Sequence, residues 1–113
     1  MRRPWLPVAL ATAAAVAAAA GCGNDGPSVA VKTNRITMVK SYRFSPDRIR
    51  VAAGSTVTWT NEDNFTHTVR VDGEEDHRVS RGDSVSIRFP KAGTYHYVCT
   101  LHSMDMSGEV IVE

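Results

Sequence analysis

Alternation of apolar and polar residues dominates the chain from about residue 36 onward. The segment 56–60 reads Thr-Val-Thr-Trp-Thr, and its β-branched and aromatic residues suit a pleated surface with one buried face. The same period of two returns in the segments 37–44, 49–51, 66–71, 84–89, 94–99 and 109–112. No segment after residue 30 has the 3.6-residue period of an amphipathic helix. The pattern therefore predicts short strands.

Turn residues separate these strands at fairly regular spacing. Pro46, Gly54, the Asn-Glu-Asp-Asn cluster at 61–64, Asp72-Gly73 and the Pro-Lys-Ala-Gly segment at 90–93 all punctuate the pattern. Short strands joined by such turns are typical of antiparallel sandwiches and barrels. We expect an all-β sandwich or barrel of seven to eight strands.

The first 21 residues have the layout of an export signal. A basic start, Met1-Arg2-Arg3, precedes an apolar, alanine-rich segment at 6–20 that is short for a membrane span of about 20 residues. The segment that ends in Cys22 resembles a bacterial lipobox, although Ala19 stands where leucine is usual. This resemblance implies lipidation of Cys22 and anchoring on the outer face of a bacterial membrane. The alternative is a plain signal peptide with Cys22 incidental.

Residues 22–33 are predicted to form a flexible tether, and residues 34–113 a single domain. The chain carries 13 basic and 12 acidic residues, so no basic stripe indicates nucleic-acid binding. The sequence shows no serine-centred triad, no phosphate-binding loop and no carboxylate pair with an evident role, and we expect no enzymatic activity. The acidic segment 72–76 is interpreted as a solvated loop or as a docking site for a basic partner.

The chain has two cysteines, Cys22 and Cys99, which in an exported protein could form a disulfide. If Cys22 carries a lipid, Cys99 is a lone thiol in an oxidising compartment and needs burial or a ligand. Residues 99–108 place this thiol close to an imidazole, His102, and two thioethers, Met104 and Met106. Mixed thiolate, imidazole and thioether donors suit copper, whereas structural zinc prefers a closed set of Cys and His.

A second imidazole must come from elsewhere in the chain. His67 is the natural candidate because it follows the turn cluster at 61–64 and opens a strand. His77 lies beside the acidic segment, and strand alternation places His96 on the face opposite Tyr97 and Cys99. Neither His77 nor His96 is assigned to copper.

The chain resembles plastocyanin- and amicyanin-like cupredoxins over residues 36–113. The residues that carry this resemblance are Phe44-Ser45-Pro46, Ile49, Val51, Gly54, Thr56-Val57, Trp59, Asn61, Asp63, His67-Thr68-Val69, Gly93-Thr94-Tyr95, Tyr97 and Cys99-Thr100-Leu101-His102. The resemblance implies a Greek-key fold and one copper ion held by His67, Cys99 and His102.

The resemblance also implies a methionine as the fourth, axial ligand. In the family this methionine is followed by one residue and a glycine that starts the last strand, and Met106-Ser107-Gly108 fits that register. The shortest family loop would instead place the ligand at Asp105. We therefore predict Met106 as the axial ligand, with Met104 as the competing assignment.

A one-electron carrier is the function that the resemblance implies. A redox protein donor and acceptor are expected to dock weakly near His102, and Thr68 to tune the site through a hydrogen bond. The protein is expected to be a monomer. Two alternatives stay open: copper storage or delivery, and a metal-free Greek-key binding module.

Overall fold

The structure is a computed structural model that describes residues 29–113. The predicted signal segment and Cys22 lie outside the described residues. Ten strands and one 3-10 turn make up this part of the chain: β1 Val31–Lys32, β2 Arg35–Val39, β3 Arg43–Ser45, β4 Arg48–Val51, β5 Ser55–Asn61, β6 His67–Val71, β7 Asp76–Val79, β8 Ser84–Phe89, β9 Gly93–Val98, the 3-10 turn Thr100–His102 and β10 Ser107–Val112.

The strands form two sheets that enclose one core. The larger sheet has the order β1-β4-β10-β9-β6-β7, and the smaller has the order β3-β2-β5-β8. Most neighbours are antiparallel, but β1 with β4, β4 with β10 and β2 with β5 are parallel. The all-β sandwich predicted from the alternation is therefore confirmed. No helix among residues 29–113 is long and apolar enough to cross a membrane.

Aromatic rings from the two sheets pack against each other at the centre of the core. Trp59 of the smaller sheet meets Tyr97 of the larger edge-on, with ring centroids 5.3 Å apart, and Phe44 meets Tyr97 at 4.8 Å. Such pairs add about 0.5–1.5 kcal/mol each beyond the area they bury. Burial and the charge of Asp47 raise the pKa of Tyr97, so its hydroxyl stays protonated and donates to the Asp47 carbonyl at 2.7 Å.

Two details differ from the sequence-based prediction. Residues 31 and 32, assigned to the tether, pair with β4 as a short strand, so the ordered domain begins before residue 34. Asp76, taken as the end of the acidic segment 72–76, is the first residue of the edge strand β7, which pairs with β6. Both strands escaped the pattern because β1 is exposed and only Val79 of β7 is buried. The predicted strand segment 37–44 is also divided into two strands, β2 and β3. With β1 and β7, this gives ten strands among residues 29–113.

The antiparallel pairing of β6 with β9 determines where the candidate ligands lie. Arg70 pairs with Val98 and Val71 with Tyr97, so the start of β6 and the end of β9 meet at the same end of the larger sheet. His67 is the first residue of β6, and Cys99 directly follows β9. Antiparallel register alone therefore brings residues 32 positions apart in the chain into contact.

Candidate metal centre

The side chains of His67, Cys99 and His102 converge at this end of the sandwich. Their ligand atoms all lie within 4.8 Å of one another. The Cys99 Sγ is 3.7 Å from the Nδ1 of His67 and 3.7 Å from the Nδ1 of His102. His67 and Cys99 are fully buried, and His102 is half-buried. Two imidazoles and one thiol thus point at a common centre that is shielded from solvent on most sides.

These separations suit a single metal ion with three protein donors in a plane. First-row metal bonds of about 2.1 Å to nitrogen and 2.3 Å to sulfur, meeting at about 120°, hold the two outer atoms about 3.8 Å apart. The observed 3.7 Å agrees with this arrangement. A trigonal set of two histidines and one cysteine is the ligand chemistry of blue-copper sites. The residues present therefore fit a copper ion.

A buried carboxylate fixes the orientation of the His67 ring. The Nε2–H of His67 donates to Asp63 Oδ2 at 2.8 Å, which leaves the Nδ1 lone pair for a metal. Asp63 is itself held, because its amide donates to Asn61 Oδ1 and its own Oδ1 accepts from the Asn64 amide. Burial alone would raise the pKa of Asp63, but the hydrogen bonds from His67 and Asn64 and the nearby positive charge lower it below its usual value.

Asp63→Ala is expected to lower the copper affinity by about 10–100-fold, because ligand histidines that lose their outer hydrogen-bond partner usually weaken by this factor. Competition titration against a chelator of known affinity measures the change. Asn64→Ala is the matched control, since residue 64 reaches Asp63 through its backbone amide and keeps that bond. Equal copper affinity in Asp63→Ala and Asn64→Ala would contradict the role of the carboxylate.

Thr68, which follows His67 in β6, places its backbone amide and its hydroxyl next to the Cys99 sulfur. Its amide lies 3.4 Å from Sγ and its hydroxyl oxygen 3.7 Å from Sγ. The hydroxyl oxygen of Thr68 also accepts from the Thr100 amide at 2.7 Å, so the start of the ligand loop is tied to β6. The tuning role expected for Thr68 thus has a geometric basis.

Backbone hydrogen bonds close the loop that carries His102. The His102 amide donates to the Cys99 carbonyl at 3.0 Å, and the amides of Asp105 and Met106 both donate to the His102 carbonyl at 2.9 Å. The Cys99 amide donates to the Met106 carbonyl at 3.0 Å, where β9 and β10 separate. Backbone hydrogen bonds therefore hold the loop in a compact conformation.

The two candidate methionines occupy opposite environments. Met106 is fully buried in the same apolar cluster as Cys99, and the hydrogen bond across the strand ends places the two residues side by side. Met104 is 93% exposed. A thioether in solvent does not reach a buried centre, so the geometry favours Met106 over Met104 as the axial donor.

Met106→Leu is expected to raise the reduction potential of the copper site on the order of 60 mV or more, which corresponds to about a tenfold change in the ratio of reduced to oxidised protein. A leucine fills the same volume but withdraws the weak sulfur donor that stabilises Cu(II). Voltammetry measures the potential, and Met104→Leu is the control that should leave it unchanged. If Met104→Leu shifted the potential and Met106→Leu did not, the assignment would be reversed.

Tyr42 is a neighbour of the centre that sequence reasoning missed. Its ring lies 4.4 Å from the His102 ring at an interplanar angle of 30°, and 5.9 Å from the His67 ring. The turn between β2 and β3 aims it there, with positive φ angles at Ser41 and Tyr42. The alternation predicted Tyr42 as a strand residue, and nothing in its sequence neighbourhood signals contact with His102.

The remaining histidines lie away from this cluster. His96 is exposed on β9, as strand alternation predicts, with Nδ1 3.9 Å from Asp72 Oδ1. His77 belongs to the edge strand β7 and pairs with Val69. Among the described residues, the group that can hold a metal comprises His67, Cys99 and His102.

Comparison with known sequences adds independent information. A family model described as the cupredoxin-like domain matches residues 8–112. The amicyanin-alpha of Methylorubrum extorquens is 32% identical over 120 residues, which cover 100% of both chains. The plastocyanin of Scenedesmus fuscus is 33% identical over 84 residues, which cover 62% of this chain and 86% of that protein.

Solved structures give the same picture. The Cu(I) form of an amicyanin variant superposes with a TM-score of 0.63 at 32% identity and covers 75% of this chain and 86% of its own. A purple cupredoxin from Nitrosopumilus maritimus superposes with a TM-score of 0.63 at 25% identity, covering 72% of this chain and 100% of its own.

Proposed function

Because this chain belongs to the cupredoxin family, we propose that it is a type 1 copper protein that carries single electrons between redox proteins outside the cytoplasm. The proposed equatorial ligands are His67, Cys99 and His102, and the proposed axial ligand is Met106. One observation carries the proposal: a buried thiol lies 3.7 Å from the Nδ1 atoms of two histidines, one of them fully buried. A copper ion in this site supplies a Cu(II)/Cu(I) couple.

The protein's part in electron transfer is to keep the site from changing shape. Asp63 holds the His67 ring, Thr68 holds the Cys99 sulfur, and the loop hydrogen bonds hold His102. A site whose donors are already in place moves little when an electron arrives or leaves, which keeps the reorganisation cost low. Because the proposed site has four protein donors, it leaves no position for a substrate, and we assign the chain a carrier role.

His102 is the proposed port for electrons because it is the one equatorial donor with solvent exposure. Four apolar or aromatic side chains form the surface near His102: Tyr42, which lies against His102, Phe65, which lies against Tyr42, and the loop neighbours Leu101 and Met104. Phe65 is 54% exposed, Leu101 51% and Met104 93%. A largely apolar surface suits brief contacts with different donors and acceptors across a small interface. We propose that redox partners dock on this surface.

The proposed location rests on the first part of the sequence. The basic and apolar segments up to residue 21 and the following Cys22 support an exported chain that is anchored by a lipid on the outer face of a bacterial membrane. Cys99 is a free, fully buried thiol among the described residues, as its proposed role as a copper ligand requires. Intact-mass spectrometry of the membrane fraction tests this: a mature chain that begins elsewhere and lacks acyl mass would exclude the anchor.

The direct test of the proposed function is a copper titration of residues 23–113, followed by visible absorption and electron paramagnetic resonance. We expect one equivalent of copper to give an intense blue thiolate band with narrow hyperfine splitting, and Cys99→Ser to abolish both. Reversible reduction with unchanged copper content would support the carrier. Pale, weakly bound copper that passes to an acceptor protein would support the delivery alternative instead.

A further inference from the structure

A chain of hydrogen bonds connects the sulfur of Cys99 with an exposed carboxylate on the edge strand β7. The Thr68 hydroxyl, which lies 3.7 Å from Sγ, is 2.8 Å from the Thr100 hydroxyl. The Thr100 hydroxyl in turn lies 2.8 Å from Oδ2 of Asp76, the first residue of β7. The acidic residue on the surface is therefore two threonines away from the proposed copper ligand.

The number of donor protons on each group determines the direction of these hydrogen bonds. A carboxylate offers only acceptors, so the Thr100 hydroxyl donates to Asp76. Since the Thr100 hydroxyl donates its one proton to Asp76, it can only accept in its 2.8 Å contact with Thr68. The Thr68 hydroxyl therefore donates to the Thr100 hydroxyl oxygen. Each hydroxyl has one proton, so Thr68 cannot donate fully to the Cys99 sulfur at the same time. While Asp76 accepts, the sulfur retains chiefly the Thr68 amide at 3.4 Å.

We propose that Asp76 is a positioning residue that lowers the reduction potential of the copper site by drawing the Thr68 hydroxyl away from the Cys99 sulfur. A hydrogen bond to the thiolate stabilises its negative charge and reduces the electron density it donates to copper, which favours Cu(I) and raises the potential. Diverting that hydrogen bond has the opposite effect. The inference rests on the copper site of the proposed function and adds a control that acts through two hydroxyl groups.

Removing the acceptor should raise the potential. In Asp76→Ala the Thr100 hydroxyl is free to donate to Thr68, and the Thr68 proton then turns to the sulfur. Loss of a negative charge also raises the potential, so a charge control is needed. Glu75→Ala removes the same charge from the neighbouring exposed position, and Glu75 forms no hydrogen bond with either threonine within residues 29–113. We expect the rise in Asp76→Ala to exceed the rise in Glu75→Ala.

Two further variants separate the effect of the hydrogen bond on the reduction potential from the effect of the charge. Asp76→Asn removes the charge but keeps an acceptor oxygen, so its shift should match that of Glu75→Ala. Thr100→Val removes the acceptor of the Thr68 proton without changing any charge, and should raise the potential by itself. Thr100→Val already breaks the connection between Asp76 and Thr68. In that background Asp76→Ala should therefore raise the potential only by the amount that Glu75→Ala gives, because the effects of coupled residues are not additive.

The experiment is protein-film voltammetry on the copper-loaded full chain, with a copper-free control by nuclear magnetic resonance. In the copper-free protein we expect a slowly exchanging Thr100 hydroxyl proton that disappears in Asp76→Ala and persists in Glu75→Ala. Equal potential shifts in Asp76→Ala and Glu75→Ala, or full additivity with Thr100→Val, would overturn the inference. Failure of the proposed function is distinct, since the wild-type chain would then lack a reversible blue-copper signal.

Discussion

His102→Gly is expected to abolish the blue band and to weaken copper binding. The loss of affinity should exceed about 10–100-fold, or about 1.4–2.7 kcal/mol of binding free energy, which is typical when a ligand histidine loses only its outer hydrogen-bond partner. The variant loses one of the three proposed copper donors and, with it, the half-buried ring that lies against Tyr42. Free imidazole should restore the band, because the vacated position is open to solvent. Electron transfer from a partner protein, followed by stopped-flow absorption, should be largely lost without imidazole.

His67→Gly is the matched control for this result. His67 is fully buried and bonded to Asp63, so the space left by its ring is closed to solvent. Imidazole at the same concentration should therefore fail to restore the band, and circular dichroism shows whether each variant is folded. Full electron transfer in His102→Gly without added imidazole would rule out His102 as the electron port.

Gly108→Ala is expected to destabilise the domain by about 2–6 kcal/mol. The added methyl group would overlap the Asp47 carbonyl oxygen and the Tyr97 hydroxyl, two groups that are bonded to each other at 2.7 Å. Overpacking costs about 1–3 kcal/mol, and disruption of the partly buried hydrogen bond between Tyr97 and Asp47 costs about 1–3 kcal/mol more. Urea denaturation of the copper-free protein measures the loss, which is a large share of the roughly 5–15 kcal/mol typical of a small domain.

Gly73→Ala is the control that separates the steric overlap expected in Gly108→Ala from the cost of backbone strain. Gly73 has φ of +83° but open space around a Cβ, so alanine there should cost only about 1–2 kcal/mol from its left-handed conformation. Copper binding should be unaffected in Gly73→Ala and weakened in Gly108→Ala, because β10 begins directly after Met106. Equal losses of stability in the two variants would show that the close contact at Gly108 is unimportant.

Sequence reasoning succeeded wherever one face of a strand is buried. In β5, strict alternation buries Val57, Trp59 and Asn61, and a shift by one residue would expose all three. It failed for β1 and β7, because edge strands with exposed side chains carry no such period. The pairing of these strands is decided by backbone hydrogen bonds to β4 and β6, which any residue except proline can form.

For the site, the sequence supplied the donor chemistry. The order of Cys99, His102 and Met106 in one short loop indicated copper, and the predicted resemblance to cupredoxins is confirmed by the family match. The register before Gly108 favoured Met106, but Met104 stayed a competing assignment because both methionines lie within four residues of His102. Their burial differs only once the loop is closed between β9 and β10.

The strand-rich fold, the family and the types of donor could all be predicted from the sequence, because periodicity and residue chemistry are local properties of the chain. Three contacts appear only in the folded chain: Asp63 orients His67, Tyr42 lies against His102, and Asp76 is connected with Cys99 through Thr100 and Thr68. These contacts depend on turns and on the pairing of β6 with β7 and β9, which place side chains from distant parts of the chain at bonding distance. No period or spacing in the sequence encodes such distances.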